Sequence, residues 1–198
     1  MTYRYEDLAS ITVPDLIDMP AALAEDVKYV FSVTYTDPEA ICVEDFSKAT
    51  AKIIQREGIE IATYPPPLGH EGLRAFIASE LATNRGADVS PENIFLSSGA
   101  GGACQTIADA FIDPGDVVMM DEFCYHGSLN MFLRKGASPV HVSMDDEGIV
   151  PEKLEKEIRK KISEGIKPKL IYTISVYHNP TGATIPLDRR LKLVEISN

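Results

Sequence analysis

Three short segments of this sequence carry residue types suited to holding a small polar ligand. Ser97-Ser98-Gly99-Ala100-Gly101-Gly102 follows the apolar run Ile94-Phe95-Leu96 and leads into a helical pattern containing Ile107, Ala110 and Phe111. A glycine-rich loop between a strand and a helix has the geometry to hold a phosphate. Its glycines let the backbone approach closely, and the helix N-terminus presents N–H groups and a partial positive charge. The spacing meets neither nucleotide fingerprint, because it lacks the Rossmann pattern and no Lys-Ser or Lys-Thr follows Gly102. Tyr125 comes just past the run Val117-Val118-Met119-Met120, where an aromatic ring can stack on a flat ligand. His178-Asn179-Pro180-Thr181-Gly182 closes the extended run Leu170-Ile171-Tyr172-Thr173-Ile174, which delivers a polar amide to the end of a buried strand.

Each segment taken singly has a plainer reading as a tight turn, a rim aromatic or an Asn-Pro turn. Their common position is what gives them weight. All three fall at the carboxyl ends of strands, where open α/β sheets bind their ligands. A ligand that is phosphorylated, planar and hydrogen-bonding would use all three, and both pyridoxal phosphate and a nucleotide have that character. Other polar groups carry less. His70, His126, His141 and His178 show no metal-ligand spacing. Cys124-Tyr125-His126 lacks the third, orienting group of a nucleophile–base pair. Asp145-Asp146-Glu147 before Gly148 reads as a solvated turn.

The elements that must position these groups follow a regular rhythm after the rigid segment Tyr64-Pro65-Pro66-Pro67-Leu68-Gly69. Leu73, Phe76, Ile77 and Leu81 form an apolar helical face ending near Gly86, and Ile94–Leu96 is expected as a strand. After the loop and its helix, Asp113-Pro114-Gly115-Asp116 turns into the strand Val117–Met120, and a helix over Leu129–Lys135 stops at Gly136. Val140–Val142 is a further strand. Leu154, Ile158 and Ile162 mark a charged surface helix leading to the strand Leu170–Ile174, and Leu187, Leu191 and Val194 mark a last helix. Strands and helices alternating in this way predict an α/β fold, a mainly parallel sheet with helices on both faces. Before the proline segment, Phe46, Ala49, Ile53 and Ile54 suit a helix stopping at Gly58, without a strand series.

Composition bounds the rest. An apolar content of 44% supports a packed core, and 19 basic against 30 acidic residues give a net charge of −11. That charge repels phosphate backbones, so nucleic acid is not an expected partner. Cys42, Cys104 and Cys124 are read as free thiols in a reducing compartment, small core residues without metal spacing. The polar start Met1-Thr2-Tyr3-Arg4-Tyr5-Glu6-Asp7 lacks the form of a secretory signal, and no run has the apolar length of a membrane span. A cytoplasmic protein without a membrane partner is expected.

The order Tyr64-Pro-Pro-Pro-Leu-Gly-His-Glu-Gly-Leu-Arg74, Ser98-Gly-Ala-Gly-Gly102, Asp113-Pro-Gly-Asp116, Tyr125 and Asn179-Pro-Thr-Gly182 resembles the class I/II aminotransferases, pyridoxal-phosphate enzymes of fold type I. The phrasing Leu170-Ile-Tyr-Thr-Ile-Ser-Val-Tyr-His-Asn-Pro-Thr-Gly182 is most similar to the branch containing 2-aminoadipate and kynurenine aminotransferases. The resemblance implies that the amides of Gly99, Ala100 and Gly101 hold the phosphate of pyridoxal 5'-phosphate. It implies that Tyr125 stacks on the pyridine ring and that Asn179 hydrogen-bonds the phenolic oxygen. Tyr64 matches the tyrosine that reaches the neighbouring subunit's site, which implies a homodimer. The substrates implied are an amino acid and a 2-oxo acid. Racemisation, decarboxylation or elimination on the same cofactor, and a remnant that only binds, are the alternatives.

Two departures from the pattern stand out. Thr34 and Thr36 replace the Gly and Pro that relatives carry ahead of Asp37-Pro38, in a segment near their substrate, and Ala100 and Gly101 replace polar loop residues. The family's cofactor-binding Asp, Schiff-base Lys and substrate-carboxylate Arg all follow the Asn-Pro-Thr-Gly motif, and Lys192 stands too close to it to serve. The Schiff-base lysine is therefore expected beyond Asn198, and the chain as the N-terminal half of such an enzyme. Residues 1–62 are expected as an arm with part of the small domain, and 63–198 as part of the incomplete cofactor-binding large domain.

Overall fold

The computed structural model describes residues 36–198; Thr34 lies outside them. These residues fall into two compact units, residues 36–97 and Ser98–Asn198.

The first unit holds helices α1 (Val43–Glu57) and α2 (Glu71–Arg85), with 3-10 turns at Pro38–Ala40, Gly58–Ala62 and Pro91–Asn93. Helix α1 ends at Gly58 as its spacing predicts. The ring of His70 caps α2, its Nδ1 accepting the Leu73 amide at 3.1 Å while Nε2 lies 3.1 Å from Glu57 Oε2. At the other end Gly86 adopts the left-handed cap, φ 64°. The apolar stripe of α2 is not what buries: Leu73 and Phe76 are exposed, whereas Arg74 and Ala78 are buried. Arg74 donates to the carbonyls of Gly69 (3.2 Å) and Pro91 (2.8 Å), pinning both sides of the unit to α2.

Ile94–Leu96 is extended but is not a strand. Its amide at Leu96 donates to the Leu68 carbonyl at 3.0 Å, and no described residue forms a ladder with it. An extended segment becomes a strand only when a neighbour supplies the alternating bonds.

The second unit is the α/β body. Its elements in chain order are α3 (Gly99–Phe111), β1 (Val117–Asp121), α4 (His126–Arg134), β2 (Ser138–Val142), the short pair β3 (Met144–Asp145) and β4 (Gly148–Ile149), α5 (Pro151–Ser163), β5 (Leu170–Tyr172) and α6 (Leu187–Ser197). Strands β2, β1 and β5 form a fully parallel sheet in that spatial order, with Met119 opposite Val140 on one side and Ile171 on the other. β1 is the central strand and every residue in it is buried, as a strand covered on both faces requires.

Alternation along β1 builds two cores. Val118 and Met120 pack with Ala108 and Ile112 near the end of α3 and with Met131 and Phe132 of α4. Val117 and Met119 pack with Val142, Ile149, Ile185 and Leu154 of α5, flanked by Ile158, Leu193 and Ile196. Helices on both faces of the parallel sheet are thus present, as expected. Leu154 is fully buried, and Leu154→Ala is expected to cost about 2–5 kcal/mol, read as a lowered urea midpoint with the denaturant slope unchanged.

The last helix corrects the sequence reading of its face. Leu187, Leu191 and Val194 are exposed, and Leu193 and Ile196 make the core contacts instead. Arg189 fixes the start of α6 to the β3–β4 turn, binding Asp145 through two nitrogens at 2.7 and 3.1 Å and Glu147 at 3.0 Å. The Asp145–Glu147 turn is therefore an ion-paired staple. The Arg189 guanidinium holds the Asp145 carboxyl below the usual carboxylate range. Because the folded protein binds that proton less tightly than the unfolded chain, the pair stabilises above the unfolded value, about 3.9, and its contribution is lost as pH falls through the lower folded value. Asp145→Asn is expected to melt earlier than wild type at neutral pH, with the gap closing below about pH 4.

Of the cysteines, Cys104 and Cys124 are half-buried against the α3–α4 core, but Cys42 is exposed and is no core residue.

Candidate functional site

The carboxyl edge of the parallel sheet gathers the polar groups of the second unit. Helix α3 runs back along the sheet before the turn Asp113–Asp116 feeds β1, so a helix rising about 20 Å places its N-terminus at the carboxyl end of a strand about 17 Å long. Ser98 caps α3 without a side-chain bond, and no acidic residue stands in its first turn. Gly99 has φ 69°, a conformation that favours glycine, and a Cβ added at Gly99 or Gly101 would meet nothing within 4 Å. A glycine-rich helix start with room around it and no acid of its own in the first turn fits an anion.

Tyr125 lies in the loop after β1 and is the N-cap residue of α4. Its ring rests against Gly127, where a Cβ would come within 2.5 Å of it, and sits 5.0 Å from the His126 ring. The side chain remains 44% exposed, so one part of the ring is seated and another is available for stacking. Cys124 is not a strand residue here, and burial pushes its thiol up, away from the nucleophilic form.

Asn179 is exposed in the turn after β5, in a cis peptide bond to Pro180. The turn is held to the end of β1 by a pair that sequence reasoning missed. His178 and Asp121, 2% and 0% exposed, meet at 3.0 Å between Nε2 and Oδ2, and the Ile174 amide donates to the same oxygen at 3.3 Å. Burial pushes the Asp121 carboxyl up, opposed by the Thr173 hydroxyl, His178 and the Ile174 amide. A second missed pair, Ser128 Oγ with Tyr172 Oη at 2.7 Å, ties the first turns of α4 to β5 beneath Tyr125. The signal for Asp121 was present: a lone carboxylate at the end of an otherwise apolar central strand needs a buried partner.

The structure thus brings Gly99, Ala100, Gly101, Tyr125 and Asn179 to one edge of one sheet. Tyr64 belongs to the first unit, where it is fully exposed beside a groove of about 350 Å³ lined by Ile53, Ile54 and His70. A second groove, about 480 Å³, runs beside the Asn179 turn between Phe123, Met144, Asp146 and Thr181–Ala183. Among the described residues no group of His, Cys, Asp and Glu could hold a metal ion, and no helix is long and apolar enough to cross a membrane.

A parallel sheet covered by helices on both faces is the architecture of the fold type I enzymes. Residues 32–198 match the family described as aminotransferase class I and II, and the chain belongs to that family. It is 29% identical over 161 residues to the aromatic-amino-acid aminotransferase 1 of Thermococcus litoralis, spanning 81% of this chain and 39% of that protein. The kynurenine aminotransferase of Pyrococcus horikoshii superposes with a TM-score of 0.76 at 28% identity, over 81% of this chain and 40% of that one. The α-aminoadipate aminotransferase LysN of Thermus thermophilus, solved with N-(5'-phosphopyridoxyl)-L-leucine, gives 0.73 at 27% identity, over 84% and 40%. The resemblance to the aminoadipate and kynurenine branch therefore holds. The chain spans about two fifths of the length of these relatives. Pyridoxal 5'-phosphate is the cofactor this family implies.

Proposed function

We propose that this chain supplies the phosphate cradle, ring seat and phenolate partner of a pyridoxal-phosphate-dependent aminotransferase that moves an amino group from an amino acid to a 2-oxo acid. The single observation that supports it best is the glycine-rich start of α3, with no acid in its first turn and open space at Gly99 and Gly101, at the same sheet edge as Tyr125 and the Asn179 turn. When bound, the cofactor supplies an electron sink for the substrate's Cα.

The chain's own residues act around it. The amides of Gly99, Ala100 and Gly101 hold the phosphate with the partial positive charge of a helix that carries no acid of its own in the first turn. Tyr125 stacks on the ring, held in place by its rest on Gly127. The Asn179 amide donates to the phenolic oxygen and favours its ionised form. Tyr64 reaches the site of a second copy in a homodimer. The lysine that bonds the cofactor lies beyond Asn198, and residues 1–62 form an arm with part of the small domain ahead of the large domain from 63. The protein works in the cytoplasm. The three relatives named differ in the amino acid that their names give.

The test is reconstitution. The protein carrying its lysine-bearing segment, mixed with pyridoxal 5'-phosphate, is expected to show a saturable, stoichiometric change in absorbance and, with an amino acid and a 2-oxo acid, ping-pong kinetics. Absence of saturable uptake overturns the reading; uptake with racemisation or CO2 release in place of amino transfer replaces it with another chemistry on the same cofactor.

A further inference from the structure

Asn179 is exposed, and among the hydrogen bonds of the described residues none holds its side chain. What aims the amide must act through the backbone on either side, and there the structure is unusually constrained. Tyr177, two residues before it, sits at φ +49°, a conformation non-glycine residues hold only when their surroundings over-determine it. The loop is closed across its base by His178 N–H to Ala183 O (2.8 Å) and Ile185 N–H to Ser175 O (2.9 Å). Arg190 donates to both Ile185 O (2.6 Å) and Ser175 O (3.3 Å).

Inside this ring the His178 imidazole links two sides. Its Nδ1 lies 2.9 Å from Thr181 Oγ1 and 3.5 Å from the Thr181 amide, while Nε2 faces Asp121 at 3.0 Å. A backbone N–H can only donate, so the Thr181 amide makes Nδ1 an acceptor, and the Ile174 amide makes Asp121 Oδ2 an acceptor. The ring hydrogen facing Asp121 is then the one on Nε2. The bonds run in one direction, from the Ala183 amide to Thr181 Oγ1 (3.3 Å), from that hydroxyl to Nδ1, and from Nε2–H to the Asp121 carboxylate.

We propose that Asp121, His178 and Thr181 are positioning residues for Asn179. The carboxylate at the end of β1 selects the imidazole tautomer, the imidazole anchors the Thr181 hydroxyl, and the two anchors flanking Asn179 hold its amide toward the cofactor's phenolic oxygen. The inference rests on the cofactor reading above and goes beyond it, since none of the three touches the cofactor.

Thr181 offers the cleanest test because it is exposed, so Thr181→Val removes the hydroxyl without opening the core. At the pH where the wild-type cofactor is half ionised, absorbance is expected to show the phenolate-to-phenol ratio about fivefold lower in Thr181→Val, restored in Thr181→Ser, and lowered as far in Asn179→Ala. The double variant Thr181→Val/Asn179→Ala is expected to fall no further than Asn179→Ala alone. In the cofactor-free protein, the Ala183 amide is expected to exchange about tenfold faster in Thr181→Val and at the wild-type rate in Thr181→Ser. A wild-type ratio in Thr181→Val, beside a lowered one in Asn179→Ala, overturns the positioning role, as does an additive double variant. If the cofactor binds and Asn179→Ala leaves the ratio unchanged, the assignment of Asn179 fails and the positioning role falls with it. If the wild-type protein takes up no cofactor, the function itself is refuted, whatever the exchange data show.

Discussion

His178→Ala is expected to lower the free energy of unfolding by about 3 kcal/mol, because removing one member of a buried pair leaves the other without compensation. The ring is 2% exposed and bonded at both nitrogens, and Asp121 beyond it is fully buried, with only the Ile174 amide left on Oδ2 after the substitution. Urea denaturation at pH 7 reads the effect as a lower midpoint at constant slope. The pH dependence has a definite sign. Burial already raises the Asp121 carboxyl, and loss of the hydrogen bond from His178 raises it further. The folded variant then binds a proton more tightly than its unfolded chain, so its deficit shrinks as pH falls through the raised folded value. Asp121→Asn, which removes the buried charge but keeps an acceptor for Nε2–H, is expected to cost less than His178→Ala. A loss below about 1 kcal/mol in His178→Ala contradicts the buried pair.

Gly101→Asp is expected to weaken pyridoxal 5'-phosphate binding on the order of 100-fold while leaving the fold intact. A Cβ at this position meets nothing within 4 Å, so the side chain fits. An acid in the first turn of α3, which has none, favours the helix through its macrodipole. The same charge stands where the cofactor phosphate is expected, and repulsion at that distance amounts to about 2–3 kcal/mol. Stability and affinity should therefore move in opposite directions, a signature that misfolding cannot produce. Gly101→Ala controls for size and should bind within a few-fold of wild type. Titration with pyridoxal, which lacks the phosphate, completes the test: the Asp variant should lose its preference for the phosphorylated form. Equal binding of pyridoxal 5'-phosphate by wild type and Gly101→Asp removes the phosphate from this helix.

The sequence by itself carried those parts of the protein that depend on neighbours along the chain. Val117–Met120 reads as a doubly buried strand because four consecutive apolar residues leave no polar face, and it is the central strand. Gly58, Gly86 and Gly136 mark the helix ends, and Gly86 and Gly136 take the left-handed conformation that suits glycine. The loop at Gly99–Gly101, Tyr125 and the Asn179 turn were legible as types at strand ends, and their order identified the family.

Only the tertiary structure decided what depends on contacts between distant segments. Ile94–Leu96 has strand chemistry yet no ladder among the described residues, since pairing is a property of two segments. The stripes on α2 and α6 show which positions are apolar but not which are covered: Leu187, Leu191 and Val194 face out, whereas Leu193 and Ile196 pack. Asp121 and His178 stand 57 positions apart, and nothing in their spacing links them. They meet because β5 lies beside β1 in parallel, with Met120 opposite Tyr172, which carries the chain after β5 past the end of β1. There a carboxylate removed from water requires a partner, and the imidazole of His178 is the group the fold delivers.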